Sequence, residues 1–584
     1  MAMSTPWLPH LRALYGEEAA PGVLAALEAR VDPYRARLGT PPNGAREPLT
    51  ERDAMLITYG DQVQQAGTPP LGTLADFAAQ HLAGLVTCLH LLPFYPYTSD
   101  DGFSVTDYRQ VNPGLGTWDD IARLGAHFRL MFDAVVNHVS VQSEWFQAYL
   151  RRDEAYRNYF IAVEGQPDLS QVVRPRALPL LTRFGPPENS RAVWTTFSAD
   201  QVDLNYHEPQ VLLDIIDLLL FYVSRGADFL RLDAIAYLWK EIGTACIHLP
   251  QTHHVVRLFR AVLDDLAPHV KLITETNVPH ADNVAYFGDG TDEAHLVYNF
   301  ALPPLVLHTL RAGDARVLTR WAGSLGRPAE GVTFFNFLAS HDGIGLNPAR
   351  GLLRRADIDA LVQQAQRHGG LVAYKDNLDG TQSPYELNIN YFDALSDPAG
   401  DEPLDVQIDR FMAAQALMLS VAGLPGIYFH SLFGSRGWPE GVKLTGRNRS
   451  INRQKFERAG LEQALADPTS RQRRVFSRYR QLLGARASSP AFNPYGAQRT
   501  LDCGEAVFAL LRTAPAGGEE VLCLENVSAE PQTPSINVEA LWGLSPAASE
   551  VTDLITGAQF AVRGNMPVAL APYQTRWLRL LLDN

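Results

Sequence analysis

Residues 227–237 read ADFLRLDAIAY, and this strand-like run places Arg231 and Asp233 in a stretch that otherwise has the composition of a protein core. Side chains alternate between two faces of a strand, so Arg231 and Asp233 share one face while Leu230 and Leu232 share the other. In a closed barrel one face lines the lumen and the other packs on helices. The run alone leaves two interpretations open: a structural ion pair inside a barrel, or part of an active site.

Similar apolar runs recur along the chain and alternate with helix-length amphipathic stretches. The strand-like runs lie at 54–61, 85–94, 128–138, 227–237, 270–277 and 332–342, and the amphipathic stretches at 119–128, 211–226 and 252–268. Strands alternating with helices predict βαβ units and a parallel sheet. Their number favours an α/β fold with a closed (β/α)8 TIM barrel over an open doubly wound sheet. No GxGxxG follows a strand, so a dinucleotide-binding fold loses support.

Two long segments interrupt this alternation, and the last part of the chain changes character. We predict a barrel that is interrupted twice and followed by a small antiparallel β domain, because long loops within a compact fold are usually functional insertions. The barrel takes residues 1–138, 211–342 and 401–494, the insertions take 139–210 and 343–400, and the C-terminal β domain takes 495–584.

Composition and charge exclude several classes of partner. The formal net charge is −14, from 50 basic and 64 acidic side chains, which argues against nucleic acid because phosphate binding needs a basic surface. We expect reduced thiols in a cytoplasmic protein, since the four cysteines are far apart and form no CxxC pair. The N-terminus resembles no signal peptide, and no apolar run is long enough to span a bilayer. We expect no membrane partner and either a monomer or a homodimer.

Acidic side chains stand at or near the ends of five strand-like runs, with two histidines beside them. The acids are Asp61, Asp133, Asp233, Glu275 and Asp342, and the histidines are His138 and His341. The carboxyl ends of barrel strands meet at one face, so these side chains are expected to converge on one pocket. Burying charge without partners is costly, which favours a functional cluster over five separate structural acids.

A carboxylate cluster of this kind suits glycoside chemistry. One carboxylate can attack an acetal carbon while a second, kept protonated by its surroundings, donates a proton to the leaving oxygen. Arg231, two residues before Asp233, would keep that carboxylate ionised. A site for two metal ions is the competing use, but such sites usually need more carboxylates and histidines per strand. The sequence has no additional oxygen-ligand cluster such as DxDxDG, and we expect no metal and no cofactor.

Four ordered runs carry a resemblance to a known family. They are DAVVNH (133–138), FLRLDAIAY (229–237), LITETN (272–277) and FLASHD (337–342), with QVDLN (201–205) between the first two. Together they are similar to the motifs of glycoside hydrolase family 13, the α-amylase family. The resemblance implies the barrel, an inserted domain B after the third strand, a C-terminal β domain and a retaining double displacement.

The resemblance also implies roles for individual residues. Asp233 would be the nucleophile that forms a β-glucosyl enzyme, Glu275 the general acid and then base, and Asp342 the stabiliser of the transition state. The partners in the glucose subsite would be Arg231, His138 and His341. Many amylases hold calcium near the motif that contains Asn137, whereas the group described next generally does without it.

Further runs look like the sucrose phosphorylase group of that family: ITYGD (57–61), RPR (174–176), FALPPLVLHTL (300–310), HDGIG (341–345) and NRSINR (448–453). In that group Asp61 and Arg449 would pair over the far hydroxyls of the glucose. Phe197 and Tyr237 would form an apolar platform, and Gln201 a polar contact. A closed pocket of this kind suits a short disaccharide-like substrate.

A phosphorylase must also bind phosphate, which favours arginine because its guanidinium can bond in two places. Arg174, Arg176 and Arg350 lie in the inserted loops and are the phosphate or acceptor candidates. The loops VVRPRALPLLTRFG (172–185) and HDGIGLNPARGLL (341–353) look more like those of glucosylglycerate and glucosylglycerol phosphorylases. An arginine near the acceptor would suit an anion such as glycerate. We therefore interpret the segment 343–400 as an insertion on the acceptor side of the site, domain B′.

The resemblance therefore predicts a retaining α-glucoside phosphorylase. It would transfer glucose from glucosylglycerate, glucosylglycerol or sucrose to inorganic phosphate and give α-glucose 1-phosphate. Residue spacing alone does not establish phosphorolysis, so a hydrolase or transglucosidase of the same family is the alternative. A catalytically silent carbohydrate-binding or scaffold protein is the third possibility, although such a protein would be expected to lack Asp233 or Glu275.

Overall fold

The computed structural model describes residues 6–38, 48–176, 178–186, 190–326, 329–377, 379–538, 541, 549–562 and 564–581. Within them, eight parallel strands close into a barrel, and each strand pairs with the next along the chain until the eighth pairs with the first. The strands are β1 Met55–Thr58, β2 Cys88–Leu91, β3 Arg129–Ala134, β4 Ala227–Leu232, β5 Lys271–Thr274, β6 Leu296–Tyr298, β7 Thr333–Phe337 and β8 Leu424–Tyr428. The predicted (β/α)8 barrel is confirmed.

Helices surround the barrel, and the three predicted from amphipathic stretches are confirmed, at Trp118–Gly125, Pro209–Ser224 and Pro250–Leu266. The last two begin with proline, whose missing N–H is not needed in the first turn. A long helix that the sequence did not reveal, Leu8–Arg37, packs on both. The other α-helices are Pro70–His81, Glu144–Leu150, His280–Val284, Leu302–Ala312, Arg316–Ser324, Arg355–Arg367, Tyr391–Leu395, Leu404–Ser420, Phe429–Leu432, Pro439–Thr445, Arg458–Ala466 and Arg471–Ala487.

Two barrel strands escaped the sequence patterns. β6 has only three residues, and β8 reads LPGIY, in which proline and glycine are typical of a turn. The structure explains the glycine, because a Cβ at Gly426 would lie 2.3 Å from a ring carbon of Phe335 on β7. The strand therefore needs glycine for close packing inside the barrel and not for a turn.

Each insertion forms a small antiparallel sheet over the carboxyl ends of the barrel strands. The strands of the first insertion are Ala162–Val163, Leu181–Phe184 and Arg191–Trp194, with Gln201–Asp203 pairing with His138–Ser140. Those of the second are Ile344–Gly345, Leu371–Asp376 and Gln382–Asn388, packed beside the helix Arg355–Arg367. A further short pair, Val63–Gln64 with Phe456–Glu457, ties two loops of the barrel together.

The C-terminal part forms the predicted antiparallel β domain. Its six-stranded sheet consists of Ala497–Asp502, Val507–Thr513, Glu519–Asn526, Ser549–Asp553, Gln559–Val562 and Thr575–Leu581, and Ser535–Asn537 pairs with Asn565–Pro567. The residue limits given above for the three parts of the barrel, the two insertions and the C-terminal domain remain predictions. No helix in the described ranges is both long enough and apolar enough for a bilayer span.

Candidate active site

A cavity lies at the carboxyl ends of the barrel strands, where barrel enzymes place their active sites. Most of the residues predicted for the site line it. The lining residues are Asp100, Phe103, His138, Pro175, Arg176, Phe197, Gln201, Asp233, Ala234, Tyr237, Glu275, Thr276, Asn277, His341, Asp342, Tyr385 and Arg449. The strand ends and both insertions therefore meet at one place.

Arg231 lies buried beneath this cavity and holds the carboxylates in position. Its Nη1 is 2.9 Å from an oxygen of Asp233 and also contacts Asp133, while its Nη2 is 3.9 Å from Glu275. The guanidinium lies over the ring of Tyr298, 5.5 Å from the ring centroid, a favourable cation–π arrangement. Arg231 therefore both forms a buried ion pair and orients the carboxyls of the cavity. The structural and the active-site interpretations of its strand are compatible.

The carboxyls of Asp233 and Glu275 have perturbed acidities. Burial raises the pKa of Glu275 to about 7 and that of Asp233 to about 6, although Arg231 opposes both shifts. Each carboxylate also raises the pKa of its neighbours through charge repulsion. Near neutral pH the protein can therefore hold Asp233 ionised while a large fraction of Glu275 keeps its proton.

A strained peptide joins these two carboxyls. Ala234, directly after Asp233, has a left-handed φ of 49°, which is unfavourable for a residue with a Cβ. Its N–H donates to Oε2 of Glu275 over 3.1 Å. The turn that presents Asp233 to the cavity thus also orients Glu275.

Asp342 is held by arginines. Arg449 contacts Oδ1 of Asp342 at 2.5 Å and bonds Glu386 through both Nε (3.0 Å) and Nη2 (2.7 Å). Burial alone would raise the pKa of Asp342, but Arg449, His341 and Arg453 hold it well below its usual range. Asp342 therefore stays ionised throughout the neutral range.

The histidines and aromatic side chains form a neutral wall. His138 contacts the carbonyl oxygen of Phe103 at 2.9 Å, and His341 stacks on the Phe103 ring with 4.8 Å between centroids. Burial lowers the pKa of His341 to about 3 and also lowers that of His138, so both are neutral hydrogen-bonding groups at pH 7. Phe197 and Tyr237 pack edge to face at 5.4 Å.

Gln201, the remaining predicted glucose-subsite residue, lies beside this wall. Its Nε2 donates to the Phe103 carbonyl over 3.0 Å and is 3.2 Å from Nε2 of His138. The side chain is buried and lines the cavity. Gln201 is therefore placed where it can support His138 and contact a bound ligand.

Asp61 does not form the predicted pair with Arg449. It contacts Lys455 at 2.6 Å and is not among the lining residues of the cavity. The reason is its position before the short strand Val63–Gln64, whose pairing with Phe456–Glu457 brings Lys455 beside Asp61.

Asp100, which was not predicted for the site, lines the cavity. It is 3.6 Å from both Arg176 and Arg453, and these arginines hold its pKa below the usual range against the effect of burial. Sequence reasoning missed it because it follows β2 by nine residues, in the loop YTSDDGF (97–103). The sequence signal that could have identified this loop is the pair Asp100 and Asp101 before Gly102, which is typical of a tight turn. Both acids adopt left-handed φ values, 54° and 49°.

Of the three arginines predicted for phosphate or acceptor binding, Arg176 lines the cavity and the other two do not. Arg174 donates to the carbonyl of Leu178, and Arg350 donates to the carbonyl of Pro384 over 3.2 Å. Arg176 has no closer acidic partner among the described residues than Asp100, so its guanidinium remains available to an anionic ligand.

The second insertion contributes two residues that sequence reasoning missed, Tyr385 and Glu386. In the strand Gln382–Asn388, Ala373 pairs with Glu386 whereas Tyr374 pairs with Pro384, so Tyr385 is the extra residue of a β-bulge. A bulge redirects a side chain, and here Tyr385 reaches the cavity while Glu386 reaches Arg449. In a regular strand Tyr385 and Glu386 would point to opposite faces. The sequence pattern therefore did not predict that both side chains reach the site.

A lysine occupies the environment of Asn137. Nζ of Lys240 is 2.8 Å from Oδ1 of Asn137 and 2.6 Å from Oδ2 of Asp203, and all three side chains are buried. An ammonium group therefore supplies the positive charge among these oxygens. In the described ranges, no cluster of three or more histidine, cysteine or acidic side chains is arranged to hold a metal.

Comparisons with known proteins agree with this geometry. Residues 80–341 match the family model described as alpha amylase, catalytic domain. The chain is 50% identical over 572 residues to glucosylglycerate phosphorylase of Spirochaeta thermophila, with 97% of each chain covered. It is 32% identical to sucrose phosphorylase of Agrobacterium vitis, over 79% of this chain and 92% of that one.

A solved structure supports the fold. The crystal structure of sucrose 6F-phosphate phosphorylase from Thermoanaerobacter thermosaccharolyticum superposes with a TM-score of 0.71 at 24% identity, covering 88% of this chain and 98% of the other. With the cavity at the strand ends and the near full-length identity to phosphorylases, the chain belongs to the α-amylase family, in the group that contains the sucrose and glucosylglycerate phosphorylases.

Proposed function

We propose that the protein is a retaining phosphorylase that acts on glucosylglycerate and releases glycerate and α-glucose 1-phosphate. The observation that carries the mechanism is the pairing of two carboxyls: Arg231 lies beside both Asp233 and Glu275, and the N–H of Ala234, the residue after Asp233, donates to Glu275. The near full-length identity to a glucosylglycerate phosphorylase supports the choice of substrate.

In the first half-reaction a carboxylate oxygen of Asp233 attacks the anomeric carbon of the glucosyl unit. The bond from that carbon to the acceptor oxygen breaks, and Glu275 transfers its proton to the departing oxygen. The product is a β-glucosyl ester of Asp233. The raised pKa of Glu275 keeps the proton available, and the adjacent guanidinium of Arg231 favours the ionised nucleophile.

In the second half-reaction phosphate takes the place of the departed acceptor. Glu275, now a carboxylate, accepts a proton from phosphate while a phosphate oxygen attacks the anomeric carbon and displaces Asp233. Two inversions restore the α configuration. Asp342, ionised and held by Arg449, accepts hydrogen bonds from sugar hydroxyls as positive charge develops on the ring.

Arg176 is the residue we assign to the anion that enters this site. Its guanidinium faces the cavity, and its nearest acid among the described residues is Asp100 at 3.6 Å. A guanidinium can bind either a carboxylate or a phosphate in a bidentate manner, through two parallel N–H···O hydrogen bonds. The glycerate carboxylate would leave Arg176 before phosphate binds there, so one cation would serve both half-reactions.

We further propose that the reaction needs no metal ion. The buried ammonium of Lys240 supplies the positive charge between Asn137 and Asp203 that a bound cation would otherwise supply. No disulfide joins any of the four cysteines, all of which the structure describes, and this fits the cytoplasm as the proposed site of action.

The deciding experiment feeds phosphate with glucosylglycerate, glucosylglycerol or sucrose and compares kcat/KM values. Glucose 1-phosphate should form only when phosphate is present, and fastest from glucosylglycerate. Release of free glucose at the same rate without phosphate would identify a hydrolase instead. Asp233→Ala should abolish glucosyl transfer while thermal unfolding remains cooperative, and a fully active variant would refute the assignment of the nucleophile.

A further inference from the structure

Asn277 lies in the cavity wall two residues beyond Glu275, and its side-chain oxygen is buried without a hydrogen-bond partner among the described residues. Buried amide groups are nearly always paired, because leaving one unpaired forfeits the hydrogen bonds it made to water. Because no hydrogen bond holds this oxygen, packing must set how the amide of Asn277 faces the cavity.

Gly345 fixes the orientation of this amide. A Cβ at position 345 would lie 2.7 Å from Oδ1 and 2.8 Å from Nδ2 of Asn277, so the amide packs directly against the glycine backbone. Gly345 belongs to the short strand Ile344–Gly345 of the second insertion and pairs there with Glu386. The amide is thus held between the end of β5 and the second insertion.

This position places Asn277 on the acceptor side of the glycosidic bond. Glu275 must reach the glycosidic oxygen to protonate it. Asn277 lies two residues further along the loop that follows β5, and its amide packs against Gly345 of the second insertion, the segment predicted to lie on the acceptor side. Its amide therefore reaches beyond the glycosidic oxygen, to atoms of the leaving group.

We propose that Asn277 selects the acceptor. Its amide N–H donates to an anionic oxygen of the acceptor, the carboxylate of a short hydroxy acid. Gly345 keeps this amide in place. The inference rests on the proposed function, since an acceptor is bound here only if the protein transfers glucose between acceptors.

The test measures the synthetic direction, with glucose 1-phosphate as donor and either glycerate or glycerol as acceptor. The readout is the ratio of the two kcat/KM values, in which any change in Glu275 cancels because both acceptors need it. Asn277→Ala should lower the ratio by about 10-fold, the usual effect of losing a hydrogen bond to a charged group. Asn277→Asp, which has the same shape but repels a carboxylate, should lower it by about 100-fold.

Two glycine variants provide a test that leaves Asn277 in place. Gly345→Ala forces the amide to move and should lower the glycerate-to-glycerol ratio about as much as Asn277→Ala. Gly460→Ala is the matched control, because nothing lies within 4 Å of a Cβ at that helical position, and it should leave the ratio and kcat unchanged. If Asn277→Ala fails to fold, Asn277→Asp and Gly345→Ala decide.

The outcomes separate this inference from the proposed function. If the wild-type protein forms no glucose 1-phosphate from phosphate and any of the three glucosides, the proposed function itself fails. If the wild-type protein is an active phosphorylase but the folded Asn277 and Gly345 variants keep the glycerate-to-glycerol ratio within about twofold, the role of Asn277 is refuted.

Discussion

The barrel side and the insertion side of the cavity are built in different ways. On the barrel side Arg231 and Glu275 come from neighbouring strands, and the parallel pairing of β4 with β5 sets their relative height. On the insertion side Arg176, Tyr385 and Glu386 come from a loop or a bulged strand, and the contacts of Arg176 with Asp100 and of Glu386 with Arg449 help to place them. Backbone ladders thus fix the reacting groups, whereas contacts that can vary independently surround the acceptor.

The largest expected effect tests the barrel side. Glu275→Ala should lower kcat/KM for glucosylglycerate by about 10²- to 10⁴-fold, because the leaving oxygen then departs without a proton. With α-glucosyl fluoride as donor, formation of the glucosyl enzyme should fall by less than about 10-fold, since fluoride needs little protonation. Initial rates of glucose 1-phosphate formation from glucosylglycerate check the first value, and rapid-quench measurement of fluoride release checks the second. An equal loss with the two donors would mean that Glu275 is not the general acid.

Arg449 joins the two sides, so its replacement tests whether they act as one unit. Lysine cannot bond Glu386 in two places while also reaching Asp342, and one buried carboxylate loses its partner. Arg449→Lys should therefore lower kcat/KM by about 10- to 100-fold for every acceptor, together with a lower Tm. Thermal unfolding and steady-state kinetics with glycerate and glycerol check this.

The matched variant for Arg449→Lys is Arg447→Lys, which changes an exposed arginine of the same loop. It should leave both kinetics and Tm unchanged. A loss in Arg449→Lys confined to one acceptor would contradict the joint role and make Arg449 an acceptor residue alone.

The barrel side was also the predictable side. Short apolar runs predicted six of the eight barrel strands, and the acids at their ends identified Asp233, Glu275 and Asp342 as neighbours from the sequence alone. β8 escaped because the need for Gly426 arises from the Phe335 ring on a different strand. The residue pattern of one segment does not show a steric requirement that comes from a side chain on another strand.

The insertion side shows the same limit more strongly. Asp61 was expected in the cavity because it ends a strand-like run, but a loop-to-loop strand pair directs it to Lys455, whereas Asp100, in a different loop, lines the cavity. Glu386 and Tyr385 depend on a bulge that inserts one residue out of register. These placements follow from tertiary pairing, so local periodicity carried no information about them.

The pH profile sharpens the comparison on the barrel side alone. Asp233 must be ionised and Glu275 protonated, so kcat/KM for glucosylglycerate should rise through a pKa of about 6 and fall through one of about 7. Outside this narrow optimum the rate should change by about 10-fold per pH unit. The alkaline limb should disappear with α-glucosyl fluoride, whose departure does not need the Glu275 proton. Persistence of that limb would assign it to another group.

The smallest expected effect belongs to Arg350, compared with Arg176. Both were predicted to bind phosphate or acceptor, but Arg350 donates to the Pro384 carbonyl and lies outside the cavity lining, whereas Arg176 faces the cavity. Arg350→Ala should change the KM for phosphate by less than about 2-fold, while Arg176→Ala should raise it by about 10-fold or more through loss of a charge-assisted hydrogen bond. Initial rates at varied phosphate give both values. A larger effect at Arg350 would show that the insertion closes over the ligand and brings this arginine into the cavity.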